Sequence, residues 1–188
     1  MRYAEFENLK TARLLLRKIT MADAQQYYAR LGSSEAVTRY MLFAPHQDIA
    51  ESIASVEKAL ARYETGAAYR WAIELPGEGL IGVIDLLRFE EETASCSFAY
   101  MLGEDYWGRG FGTEALKAVF DFAFRKMELQ RIEADHMAAN PASGAVMRKA
   151  GMRYLRTDRA KYEKNGVLHD APVYVITRED WLENLERE

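Results

Sequence analysis

One cysteine, four prolines and three histidines in 188 residues leave several protein classes without support. With Cys96 alone, no intramolecular disulfide can form, so a disulfide-stapled scaffold is excluded. In a strand-like run, that thiol reads as a small buried hydrophobe. No metal site is read from the sequence. Positive charge is also in deficit. The 25 Lys and Arg against 29 Asp and Glu give a net charge of −4, with no basic stripe, so nucleic acid is not expected as a direct partner. No apolar run approaches the length of a bilayer span, so no membrane role is expected. The segment 1–10 is polar and charged, unlike a secretory signal. A soluble cytoplasmic protein is the resulting expectation. A hydrophobic content of 49% supports a sizeable core, and 188 residues suit one domain spanning 1–188.

What the chain does contain is the stretch Glu104-Asp105-Tyr106-Trp107-Gly108-Arg109-Gly110-Phe111-Gly112-Thr113-Glu114-Ala115, set between a strand-like run and an amphipathic helical pattern. The first N–H groups of a helix have no intrahelical acceptor, and the helix dipole favours negative charge beside them. Glycine lets a ligand approach the backbone closely. A glycine loop running into a helix therefore suits a phosphate. The same glycines also serve a plain tight strand-to-helix connection. A dinucleotide fingerprint needs glycine three residues beyond Gly110, where Thr113 stands, and a Walker loop needs Gly-Lys-Ser/Thr, which is absent. The Arg109 side chain either reaches a phosphate or is an exposed loop arginine.

Periodicity supplies the remaining elements. Residues 13–19 read as a first strand, with Thr20 and Asp23 as a capping pair for helical pieces at 21–31 and 34–40. In 48–64, Ile49, Ile53, Val56, Leu60 and Tyr63 recur at helical spacing. Strands at 69–75 and 80–89 flank the turn Pro76-Gly77-Glu78-Gly79, Glu90-Glu91-Glu92 reads as a solvated hairpin tip, and 94–102 is the fourth strand. The helix after the glycines carries Leu116, Val119, Phe120, Ala123 and Phe124 on one face. Residues 131–138 form strand five. Asn140 then caps a helix with Pro141 in its first turn, and Gly151 stops it. Two last strands flank the hairpin turn Asn165-Gly166, and a closing helix starts near Thr177. The pattern is α+β, around a mixed sheet of about seven strands.

Four blocks carry a family resemblance. Trp107-Gly108-Arg109-Gly110-Phe111-Gly112 resembles the acyl-CoA pyrophosphate loop of the GNAT acetyltransferase superfamily, with Trp107 where Gln or Arg is usual, a variant of its Rim-type (ribosomal-protein N-acetyltransferase-like) branch. The run from Asn140 to Met152 is similar to the family's Asn-x-x-Ser-x-x-x-x-x-Lys-x-Gly-Phe block, with Lys149 at the lysine position and Met152 for Phe. Thr11-Ala12-Arg13-Leu14-Leu15-Leu16-Arg17 resembles its first strand, and His169-Asp170 through Trp181 resembles its end.

The resemblance implies a GNAT-like fold whose largely antiparallel sheet is splayed between strands four and five. It implies acetyl-CoA as co-substrate, with pyrophosphate on the amides from Trp107 to Thr113 and the pantetheine arm in the splay. An acceptor amine then attacks the thioester directly. Asn140 would bind the arm, and a backbone N–H near Met101 or Leu102 would face the oxyanion. Ser143 would give the leaving thiolate a proton, or else only cap its helix. The family's usual strand-four acid is missing from Ser97-Phe98-Ala99-Tyr100. Asp85, which interrupts the apolar run Leu80–Leu87, is the base read in its place if it projects into a cleft, and otherwise binds a backbone group or ends the buried part of its strand; Asp135 and His136 lie on strand five, the histidine reading as a core residue. Tyr40, Met41, Phe43 and Trp71 would line the acceptor pocket, between 27–45 and the last hairpin. The acceptor would be a protein N-terminal α-amine or a small amine. The alternatives are an antibiotic, polyamine or amino-acid acetyltransferase and a non-catalytic acyl-CoA sensor. A homodimer is also implied.

Overall fold

The computed structural model describes residues 4–65 and 68–187. Eight strands form one sheet: β1 (Leu9–Lys10), β2 (Leu15–Lys18), β3 (Ala68–Leu75), β4 (Gly79–Glu90), β5 (Ser95–Leu102), β6 (Arg131–Asp135), β7 (Arg153–Lys164) and β8 (Val167–Thr177). Their order across the sheet is β1-β2-β3-β4-β5-β6-β8-β7. The eighth strand, beyond the seven read from periodicity, is the two-residue β1, too short to carry an alternation. Every pairing is antiparallel except β5 with β6.

That exception creates the site. Parallel neighbours cannot be joined by a tight hairpin and need a crossover, here the helix α4 (Phe111–Arg125). β5 and β6 pair only at Ser95–Arg131, Cys96–Ile132 and Ser97–Glu133. Beyond them β5 continues to Leu102 and β6 to Asp135 with no pairing between them. The splay expected between strands four and five is thus present between β5 and β6. α4 starts beside the carboxyl end of β5, so its unpaired donors open on the gap.

The sheet has a core on each face. On one, α4 buries Leu116, Val119, Phe120, Ala123 and Phe124, the stripe read from the sequence, with Trp71, Phe98 and Tyr174. Burial of such a side chain contributes about 1.5–3 kcal/mol. On the other, α3 (Ile49–Thr65) places Val56 and Ala59 against Ala72, Val83 and Met101. Cys96 is buried, and burial pushes its thiol pKa up, which keeps it protonated.

Several boundaries differ from the sequence reading. The helix expected at 21–31 is a 3-10 turn (Met21–Asp23), one α turn, α1 (Ala24–Tyr27), and a π turn (Tyr28–Gly32). Arg30 in it is turned to the carbonyls of Glu78 and Leu80 at 2.9 Å each. The piece at 34–40 is only α2 (Glu35–Thr38), because Lys164 takes up the carbonyls that follow. Lys164 Nζ donates to Thr38 O at 2.8 Å and to Met41 O, with Phe43 O at 3.4 Å. Burial lowers the Lys164 pKa. β6 ends at Asp135 although the amides of His136 and Ala138 still donate to Pro172 O and Asp170 O in the β6–β8 register, because Pro172 has no N–H to donate back. The Asn165-Gly166 turn has φ of 53° and 76°, as a two-residue hairpin requires.

Candidate functional site

A cleft of about 790 Å³ passes along the β5–β6 gap, lined from both faces of the sheet. On the α4 side it meets the glycine loop. Gly110 is left-handed at φ 81° and serves as the N-terminal boundary of α4. A residue with a Cβ adopts that φ only at a cost. Gly108 (φ 71°) and Gly110 are exposed, and the amides of 108–113 donate to no protein acceptor among the described residues. Trp107, Gly108, Gly110, Phe111, Gly112 and Thr113 all line the cleft. Arg109 does not. Its exposed guanidinium lies 4.9 Å from the Phe111 ring centroid, the arrangement of the loop-arginine alternative of the two read from the sequence.

The loop is held from the amino-terminal strands. Arg13 donates to Arg109 O at 3.0 Å and pairs with Glu114 at 2.6 Å, while Thr11 Oγ1 donates to Glu114 at 2.6 Å. Burial works to raise the Glu114 pKa, but these donors outweigh it and hold it down. The Thr11-x-Arg13 block, recognised only as a resemblance, thus braces the first turn of α4.

The helix α5 (Pro141–Lys149) forms the next wall. Asn140 is its cap, accepting from the Ser143 amide at 3.4 Å, and Asn140, Ser143 and Lys149 line the cleft. Tyr100 on β5 donates its hydroxyl to Ser143 Oγ at 3.5 Å. Burial raises the Tyr100 pKa, opposed by the Ser143 contact. Sequence reading passed over Tyr100, although its place in the Ser97–Tyr100 stretch was the available signal. Met101 and Leu102 line the cleft too, and Leu102 O accepts from the Trp107 indole N–H at 2.7 Å. His136, beneath α5, directs Nδ1 to Met137 O at 2.7 Å and stacks on Tyr174. A Cβ on Gly144 would stand 2.6 Å from its Nε2, so only glycine lets α5 pack this closely.

The other face receives Tyr40 and Met41, as expected, with Leu42, Leu87 and Ala99. Trp71 is corrected. It is fully buried, stacks on Phe6 and donates to Glu7 O at 2.9 Å. Phe43 is not in the lining and packs 5.5 Å from His46. Asp85 is also corrected. It lies outside the lining, 6% exposed, and forms a two-point ion pair with Arg70 at 2.6 and 2.9 Å. The carboxylate that does face the gap is Asp135, two residues past the last β5–β6 pair. It accepts from the Tyr162 hydroxyl and from Lys161 Nζ at 2.8 Å. Burial, then the Asp135 contact, pushes the Tyr162 pKa up to about 12, so it stays a donor at neutral pH. A carboxylate offers about four lone-pair directions, so Asp135 keeps capacity for an amine.

A split sheet with open helix-start amides on one side of the gap and a carboxylate on the other is the scaffold of an acyltransferase. The sequence profile of the acetyltransferase (GNAT) domain matches residues 13–153, and the chain belongs to that family. It is an N-acetyltransferase. YoaA of Bacillus subtilis (strain 168), an uncharacterized N-acetyltransferase, is 30% identical over 174 residues, covering 92% of this chain and 98% of that one. Among solved structures, a GNAT-family acetyltransferase from Bacillus anthracis superposes with a TM-score of 0.82 at 25% identity, covering 92% of this chain and 99% of the other. RimL, a ribosomal L7/L12 α-N-protein acetyltransferase in complex with coenzyme A, shares the fold with a TM-score of 0.83 at 20% identity, covering 91% and 98%.

Proposed function

We propose that this chain moves an acetyl group from acetyl-CoA to a primary α-amine, on a protein N-terminus or a small molecule, by direct attack. The observation that carries this reading is the row of free amides at 108–113 opening on the same cleft that Asp135 faces from the far side. The loop fits the co-substrate's diphosphate: glycines leave the amides uncovered and no side chain fills the approach at Gly108. When bound there, acetyl-CoA supplies an activated thioester.

The protein's residues divide the remaining work. The amides of Gly108–Thr113 hold the diphosphate, the Trp107 amide being spent on Glu104 O at 3.1 Å; Lys149 adds positive charge for the phosphates and Asn140 holds the arm. Asp135 receives the proton shed by the attacking nitrogen, with Tyr162 and Lys161 fixing its orientation. Tyr100, through Ser143, keeps a proton beside the place where the thiolate departs. The sensor alternative drew on the missing strand-four acid, and Asp135 supplies a carboxylate at the same gap. The α-amine preference is supported by acidity: an α-amine of pKa about 7.7–8 is roughly a tenth neutral at pH 7, a lysine of about 10.4 almost wholly charged. RimL's activity is named for an α-amine. We also read 1–188 as one domain in the cytoplasm, which the single buried cysteine suits. The homodimer rests on family resemblance alone.

Free-thiol release from acetyl-CoA against a panel of peptide α-amines, lysine side-chain amines, polyamines, amino acids and aminoglycosides tests the reading. Turnover with α-amines is expected, and a clear lysine or polyamine preference refutes it. In the same assay, Asp135→Asn should lower kcat/KM about tenfold at pH 7 and recover above pH 9, where the α-amine is already neutral. A deficit that persists at pH 9 would deny Asp135 this role.

A further inference from the structure

Three described arginines have a guanidinium with no hydrogen bond, ion pair or ring contact: Arg39, Arg62 and Arg88. Two of them, Arg39 and Arg88, line the cleft, and both do so on the acceptor side. Elsewhere the arginines are engaged with carboxylates, carbonyls or rings, as in Arg13, Arg17, Arg70 and Arg156. Arg88 also has an unusual backbone. Its φ is 56°, a left-handed value for a residue with a Cβ, at a register slip between Leu87 and Glu90. Such a conformation is strained for a residue with a Cβ and marks positions where a bulge re-aims a side chain. The bulge sits where β4 passes Ser97, the last residue of β5 paired to β6. The Arg88 charge acts on the Tyr162 hydroxyl, lowering its pKa against the larger upward push of burial. Arg39 stands on the segment that Lys164 latches to the last hairpin. These groups therefore surround one mouth.

The acids that face this mouth do not cancel them. Asp135 is matched by Lys161 at 2.8 Å. Glu104 also lines the cleft, but beyond the far end of β5. Ser97 and Leu102 are five residues apart, about 17 Å of extended strand. The acceptor end is cationic even though the chain as a whole is not.

We propose that the acceptor carries an anionic group, a carboxylate or phosphate, close to its amine, and that Arg39 and Arg88 grip this group while the amine sits at Asp135. This rests on the acetyl-transfer reading above and names its substrate class: a dipolar acceptor held at both ends, with polycations repelled. Arginine suits the role because its planar fork binds such oxyanions in two-point fashion.

The test uses the full chain with saturating acetyl-CoA and short amidated peptides bearing a free α-amine. The peptides have Glu, Gln or Lys at the second to fourth positions. Free amino acids and O-phosphoserine peptides form separate arms that distinguish the source of the anion, and spermidine is the polycation. Acidic acceptors are expected to show an acceptor KM about tenfold below the Gln series, rising with salt. Arg88→Glu and Arg39→Glu should reverse the order, raising acceptor KM for Glu peptides and lowering it for Lys peptides, without a matching change in acetyl-CoA KM. Turnover indifferent to acceptor charge, or fastest with spermidine, overturns this proposal and leaves acetyl transfer standing. No turnover with any amine removes acetyl transfer itself, and this proposal with it.

Discussion

Replacing Thr113 by Glu is expected to leave the protein as stable as before and to weaken acetyl-CoA binding about a hundredfold. Thr113 is the third residue of α4 and half-buried against the cleft. A carboxylate at that position is favoured by the helix dipole, by about 0.3–1 kcal/mol, and is the usual partner in a capping box. The backbone there needs no glycine, so nothing in the fold opposes the change. The ligand is opposed. One pair of like charges about 6 Å apart, at an effective dielectric of about 20, costs about 3 kcal/mol, which is about a hundredfold in Kd. Thermal melts with and without acetyl-CoA read both halves at once. The variant should melt at or above the parent temperature yet lose the upward shift that acetyl-CoA gives the parent. An unchanged Kd by calorimetry would mean that the diphosphate binds elsewhere, and the anion-site reading of the glycine loop would fall.

Asp85→Ala carries the other large effect, and it falls on stability. Asp85 and Arg70 have side chains 9% and 14% exposed and meet through two hydrogen bonds. Burial works to lower the Arg70 pKa, but the Asp85 charge and hydrogen bonds outweigh it, so the guanidinium stays charged. Removing the carboxylate leaves that cation buried without a partner, at about 3–5 kcal/mol. In a chain of this size that is about 10 °C in Tm. Replacing both residues, as Arg70→Met with Asp85→Leu, should recover most of the loss, because two apolar side chains need no partner. Urea denaturation of the single and double variants measures it. Activity per folded molecule should follow the parent in the double variant. A large loss of kcat in a stable double variant would return Asp85 to the chemistry.

Asp85 and Asp135 also show how far strand alternation reaches. Both are acids in strand-like runs, and the alternating pattern puts each on a definite face of the sheet. Asp85 lies on β4, whose neighbour β3 brings Arg70 directly opposite it in register. Asp135 lies past the end of the β5–β6 ladder, so its β5 side is open. Which acid meets a partner and which meets a gap depends on pairings made by residues distant in the chain. The positive φ of Arg88 is equally invisible in advance, since a bulge is set by the register of two strands and not by the residue that occupies it.

The sequence by itself determined the features whose physics is local: the glycines that permit left-handed turns at 108–110, the Asn140-Pro141 cap, the Asn165-Gly166 hairpin and the apolar stripe of α4. Each depends on a few consecutive residues or on the 3.6-residue period. Only the tertiary structure decided how those pieces are aimed. Thr11 braces Glu114 across 103 residues and Lys164 latches Thr38 across 126. Hydrogen bonds of that span exist only once the sheet has formed, because side chains so far apart in the chain meet at no fixed spacing.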